Sequence, residues 1–126
     1  MLEFMFVGVG GFIGSCLRFG VTKLAHVWCL TFPFGTLISN VVAGLAIGFI
    51  IGLEQQSVTV SPKAHSFLTA GLLGGLSTFS AFSLETVNLF ENGKYFLASC
   101  NILLNLVLSL LGVVVGMAVA KRLVKG

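Results

Sequence analysis

Charge is scarce in this chain. Its 7 Lys or Arg and 4 Asp or Glu make up 9% of 126 residues, against about 25% in a soluble domain. That scarcity excludes an ordinary soluble fold. The net charge of +3 comes mostly from Lys121, Arg122 and Lys125; gathered at one end, they read as a helix-end anchor, so no nucleic-acid partner is expected. Proline is nearly absent: Pro33 punctuates a connection, and Pro62 suits a helix start. Cysteine is limited to Cys16, Cys29 and Cys100, isolated and without CxxC spacing, which reads as small packing residues. There is no P-loop, GxSxG or HExxH, and His26 and His65 fall near expected helix ends, so enzymatic catalysis is not expected. No small-residue cleavage site follows a basic start, so no signal peptide is expected and Met1 to Phe4 leads straight into a first helix.

What is present is apolar. Hydrophobic residues make up 56% of the chain, and uncharged runs extend over Phe4 to Leu17, Leu24 to Leu53, Ala64 to Leu84 and Tyr95 to Ala120. A membrane-spanning helix needs about 20 such residues. The pattern predicts an all-α integral membrane protein of one domain, with helices at about 4–25, 36–53, 63–90 and 95–119. Glycine stripes mark close helix contacts: Gly10 and Gly14 on the first helix, Gly44, Gly48 and Gly52 on the second, Gly112 and Gly116 on the fourth. Trp28, Phe32 and Phe34 suit the membrane interface between the first two helices.

The third segment is the unusual one. Within the uncharged run, Gly71, Gly74 and Gly75 weaken a helix just before the hydroxyls of Ser77, Thr78, Ser80 and Ser83. A break here leaves amide and carbonyl groups unpaired in hydrocarbon, so it must line or seal something. Phe79 and Phe82 follow at i,i+3, two rings on one helical face beside the break.

Several polar residues invite more than one reading. Arg18 lies deep in the first helix and either snorkels to the interface or attracts an anion to a vestibule. Asn40, one turn before Gly44, is either interhelical glue or functional. Glu85 is either a proton-relay group or a carboxylate reaching headgroup water, the second being favoured. Asn101, Asn105 and Ser109 recur at i, i+4 and i+8 along an otherwise apolar helix, as a hydrated or ion-conducting track or as an interhelical hydrogen-bond ladder.

Three motifs, GGFIGSCLRF at Gly10 to Phe19, FGTLISNVVAGLAIG at Phe34 to Gly48 and GLLGGLSTFSAFSLE at Gly71 to Glu85, closely resemble the Fluc (CrcB) fluoride channels, in order and over nearly the whole chain. The resemblance implies a dual-topology, antiparallel homodimer with paired fluoride pores and a structural sodium ion at the dimer axis. Carried over position by position, it implies sodium held by the backbone carbonyls of Gly74 and Ser77. It further implies a pore using Phe79, Phe82, Asn40, Asn101, Asn105 and Ser109, and a vestibule containing Arg18. Ser77 replaces a Thr found in many members, a change that a backbone ligand tolerates.

The charges are compatible with insertion in both orientations. Lys63, Lys121, Arg122 and Lys125 lie on one side against Lys23 and Lys94 on the other, a modest bias once Arg18 is set aside as buried. The expected function is passive export of fluoride through the cell (inner) membrane. The main rival is a small dual-topology proton-coupled multidrug or cation exporter, which calls for a carboxylate deep in a shared cavity. A membrane scaffold explains the glycine stripes but not a polar line beside a broken helix.

Overall fold

The computed structural model describes all residues from Met1 to Gly126 and is entirely helical. Four spans are long and apolar enough to cross a membrane. Helix α1 is Leu2–Trp28 and α2 is Phe34–Gln55. The third span, Pro62–Glu91, is assembled from α3 (Pro62–Ser66), a π-helical stretch (Phe67–Leu73), α4 (Gly74–Leu76) and, after an interruption, α5 (Ser80–Glu91). Helix α6, Tyr95–Lys125, is the fourth span.

The helices run past the apolar segments that predict them. α1 takes in His26 to Trp28, and α6 continues through Lys121 and Arg122. Neither extension contains a glycine or proline, so nothing there stops propagation. The ends that are sharp have local causes. Ser61 accepts the Ala64 N–H at 3.2 Å, with Pro62 in the first turn of α3. At the end of α5, Gly93 adopts φ +74° and the bonds Gly93 N–H to Phe90 O (3.1 Å) and Lys94 N–H to Leu89 O (2.9 Å) close the helix. Ser57 takes the same left-handed position after α2, at φ 68°.

Only 23 residues are buried, while large side chains such as Phe12, Leu103 and Leu110 point outward. That is the inverse of a soluble protein and suits a chain whose solvent is lipid. The glycine stripes are where backbones meet. α2 lies along α6: a Cβ on Gly44 would stand 2.7 Å from the Ser109 carbonyl, and one on Gly48 would collide with the Val113 carbonyl. From the other side, Gly116 is closed off by the Leu45 carbonyl. α1 meets the π-helical stretch and α4 in the same way, with Gly10 against Phe67 O and Gly75 against Gly11 O.

Gly48→Val places atoms against a backbone carbonyl that has no room to retreat, and overpacking of this kind costs about 1–3 kcal/mol or more. Its folded yield and melting temperature in detergent are expected to fall well below those of Gly20→Val, because a Cβ at Gly20 meets nothing within 4 Å. Equal melting temperatures would refute close α2–α6 packing.

Candidate functional site

The third span does not break where its glycines cluster. Gly71 and Gly75 remain helical, because their missing side chains admit α1: a Cβ on Gly71 would stand 2.8 Å from Val7 O. The break falls just after them, at residues 77–79. Ser77 turns extended (φ −85°, ψ 152°), Phe79 returns to helical angles, and α5 starts at Ser80.

Backbone groups freed by the break are taken up by side chains from two other spans. Asn40 of α2 brackets the Thr78 peptide: its Oδ1 accepts the Thr78 N–H at 2.9 Å, and its Nδ2 donates to Thr78 O at 3.3 Å. Thr78 Oγ1 accepts the Ala81 N–H at 3.3 Å, as a capping side chain does at a helix start. Arg18 of α1 donates from Nε to Gly75 O at 3.1 Å. Arg18 therefore reaches across to the broken span and does not extend along its own helix to the interface. The carbonyls of Gly74 and Ser77 stay outside this arrangement, as does that of Leu76, which accepts no N–H. The i→i+4 bonds that would fill Gly74 O and Ser77 O are not made, since the Thr78 N–H goes to Asn40 and the Ala81 N–H to Thr78 Oγ1. Gly74 itself is exposed.

A cavity of about 430 Å³ lies against the break. Asn40 and Gly44 of α2, Ser77, Thr78, Phe79 and Phe82 of the broken span, and Asn105 and Ser109 of α6 contribute to its lining, and no charged side chain does. The Phe79 and Phe82 rings sit 5.5 Å apart, tilted by 52°. They are not equivalent: Phe82 is 8% exposed and Phe79 is 76% exposed. The hydroxyls of Ser77 and Ser83 donate back to Leu73 O and Phe79 O, both at 2.9 Å. Ser109 Oγ is buried with no hydrogen-bond partner.

The polar line on α6 divides. Asn101 is fully buried, outside the cavity, and Asn105 donates to it; Asn105 also accepts from Asn40 at 2.9 Å. Ser109, one turn on, stands alone. Glu85 turns inward: Thr36 Oγ1 donates to one carboxylate oxygen at 3.0 Å, and the other is buried without a partner. It lies in a separate cavity of about 250 Å³ with His26, Asn88 and Lys94. A larger groove, about 770 Å³, between the starts of α1 and α3 is lined chiefly by apolar side chains such as Met5, Phe6 and Phe67. Two contributors are invisible to sequence reasoning on single helices. Thr86 and Thr36 carry hydroxyls that matter only through partners on other spans; the spacing of Thr86 at i+4 from Phe82 is the one signal that could have drawn attention to it.

These features define a multi-pass α-helical membrane protein built around a broken helix and an uncharged, partly polar cavity. The family described as CrcB-like protein, Camphor Resistance (CrcB), matches residues 5–117, and the chain belongs to it. Similar relatives carry the name fluoride-specific ion channel FluC. One from Clostridium novyi (strain NT) is 44% identical over 116 residues, covering 91% of each chain. One from Clostridium perfringens (strain 13 / Type A) is 44% identical over 124 residues, 98% of this chain and 97% of the relative. One from Aeromonas salmonicida (strain A449) is 42% identical over 118 residues, 93% of this chain and 94% of the relative.

Proposed function

We propose that this chain is a fluoride-selective channel, not an enzyme, that lets fluoride leave the cytoplasm through the cell (inner) membrane and so lowers its toxicity. Family membership and the names of its relatives support fluoride as the substrate. The observation that carries the mechanism is the uncharged cavity at the break, where two tilted phenylalanine rings stand with the unpartnered Ser109 hydroxyl. Fluoride is small and strongly hydrated, so a path across the membrane must replace its water with donors, and a free hydroxyl is one. Conduction also needs binding weak enough to release the ion. Ring edges carry partial positive charge through the aromatic quadrupole and hold an anion without trapping it as a cationic residue would. The proton-coupled exporter loses ground because its carboxylate is missing from this cavity; Glu85 lies in the other one.

Export then needs no pump. Hydrogen fluoride crosses a bilayer as a neutral weak acid and dissociates near neutral pH, leaving an anion inside that the negative membrane potential drives out.

The functional unit is an antiparallel homodimer. Phe79, Ser80 and Gly74 are exposed on the surface of one chain, beside carbonyls that its own helix leaves unfilled. Lipid tails have nothing to offer those groups, whereas a second copy covers them. The carbonyls of Gly74 and Ser77 fit a structural sodium ion: they are neutral, hard oxygen ligands without the donors of a continuous helix. Two copies would supply four such oxygens, and the ion would satisfy the break and fasten the dimer. Arg18, engaged with Gly75 O, holds positive charge near the break without lining the cavity, as a vestibule residue does.

Fluoride efflux from liposomes, with chloride as the control anion, tests this reading. Wild type is expected to release fluoride and retain chloride. Ser109→Ala is expected to lower fluoride efflux several-fold with an unchanged melting temperature, since removing an unpartnered buried hydroxyl does not destabilise. Chloride release matching fluoride release would reject selectivity, and wild-type efflux from Ser109→Ala would remove Ser109 from the path.

A further inference from the structure

The hydrogen bonds at the break continue through the protein and return to the helix they left. From Thr78 they pass to Asn40, whose amino group donates to Thr78 O and to Asn105 Oδ1. The Asn105 amino group donates to Asn101 O at 2.8 Å and to Asn101 Oδ1 at 2.9 Å. Asn101 Nδ2 donates to Thr86 Oγ1 at 2.9 Å, and the Thr86 hydroxyl donates to Phe82 O at 2.8 Å. Every link has one donor and one acceptor, and the run crosses three spans.

Two properties set this chain of bonds apart from a line of ion ligands. First, the amino groups of Asn40 and Asn105 are already engaged with protein oxygens, so they have no free N–H to offer an anion. Second, its far end is out of reach of the cavity: Asn101 is 0% exposed, and neither Asn101 nor Thr86 lines it. Its two ends, at Thr78 and Phe82, enclose Phe79 and fix the first turn of α5 against α2 and α6. Buried networks in which every member has a partner are rigid, because breaking any link orphans a polar group.

We infer that Thr86 is a positioning residue for fluoride conduction, the anchor of a hydrogen-bonded strut that runs through Asn101, Asn105 and Asn40 to Thr78 and sets the two phenylalanine rings at the cavity. The inference rests on the channel reading, and gives Asn40, Asn101 and Asn105 work in shaping the path in place of binding the ion. Thr86 touches neither the ion nor the cavity. Its effect must pass through the strut.

Thr86→Val keeps the branched shape and removes the hydroxyl; Thr86→Ser keeps the hydroxyl. In liposomes, Thr86→Val is expected to lower fluoride efflux about fivefold or more, while Thr86→Ser stays within about twofold of wild type. Both should elute as wild type on size exclusion; if the valine variant does not fold, Thr86→Ala makes the same comparison. Hydrogen exchange gives a readout independent of transport: the Thr78 amide should exchange faster in the valine variant and at the wild-type rate in the serine variant. Wild-type efflux from Thr86→Val, or equal losses in the valine and serine variants, would overturn the inference. If wild-type protein carries no fluoride, the channel reading fails, and Thr78 exchange alone decides the strut. Unchanged exchange in the valine variant would then overturn that too.

Discussion

Phe79→Ile is expected to cut fluoride flux about tenfold or more while the protein still folds and elutes normally. The Phe79 ring is 76% exposed in the chain, so it contributes little to the chain's own packing, and isoleucine at an exposed apolar site is tolerated. What isoleucine removes is the electropositive ring edge. Aromatic electrostatics of this kind are worth about 0.5–1.5 kcal/mol between neutral rings, and a full negative charge strengthens the attraction; a barrier change of about 1.4 kcal/mol is already tenfold in rate. Phe82→Ile is expected to reduce flux as well, but at 8% exposure it also loosens packing inside the chain, so its melting temperature should drop further than that of Phe79→Ile. Efflux per reconstituted protein, read beside melting temperature, separates the two effects. Near-wild-type flux from both folded variants would refute the aromatic role.

Asn40→Leu is expected to have the largest effect on stability. Leucine fills a similar volume but leaves three groups without partners at once: the Thr78 N–H, the Thr78 carbonyl and Asn105 Oδ1. Each orphaned group costs about 1–3 kcal/mol away from water, and their sum approaches the whole stability of an ordinary domain, about 5–15 kcal/mol. The expected outcome is a collapse in yield of folded protein, or a melting temperature in detergent lowered by well over ten degrees. The neighbouring residue supplies the control. Ser39 is 1% exposed and its Oγ has no partner, so Ser39→Ala is expected to be neutral or slightly stabilising. If Asn40→Leu and Ser39→Ala melt alike, Asn40 is not what holds the break together.

The local features of the fold are the ones legible in the sequence. Gly44, Gly48 and Gly52 announce a close contact because a helix repeats its face every turn, and the backbone of α6 lies against that stripe. The existence of a break is legible from Gly71 to Ser83, but its place is not. Glycine serves two physical ends, bending a helix and admitting a neighbour; here Gly71 and Gly75 do the second, and the chain turns extended two residues beyond Gly75. Side chains whose partners lie far off in sequence stay illegible. Arg18 reads as snorkelling or vestibular, and its actual acceptor is Gly75 O, 57 residues away. Asn101, Asn105 and Ser109 read as one line because their spacing is regular. Which of them are engaged depends on Asn40 and Thr86, on other spans, and only the Ser109 side chain is left without a partner. Glu85 reads as a proton-relay group or a carboxylate in headgroup water, and the hydrogen bond it accepts from Thr36, 49 residues away on another span, is legible in neither reading.

That fluoride crosses as an ion, unaccompanied by protons, is tested most directly by the reversal potential of the reconstituted protein in a planar bilayer with a fluoride gradient and an independent pH gradient. The predicted result is current at equal pH, with a reversal potential that follows the fluoride gradient and stays put when the pH gradient is inverted. A reversal potential that moves with pH, or a current that vanishes without a proton gradient, would contradict the channel and point to a proton-coupled exporter.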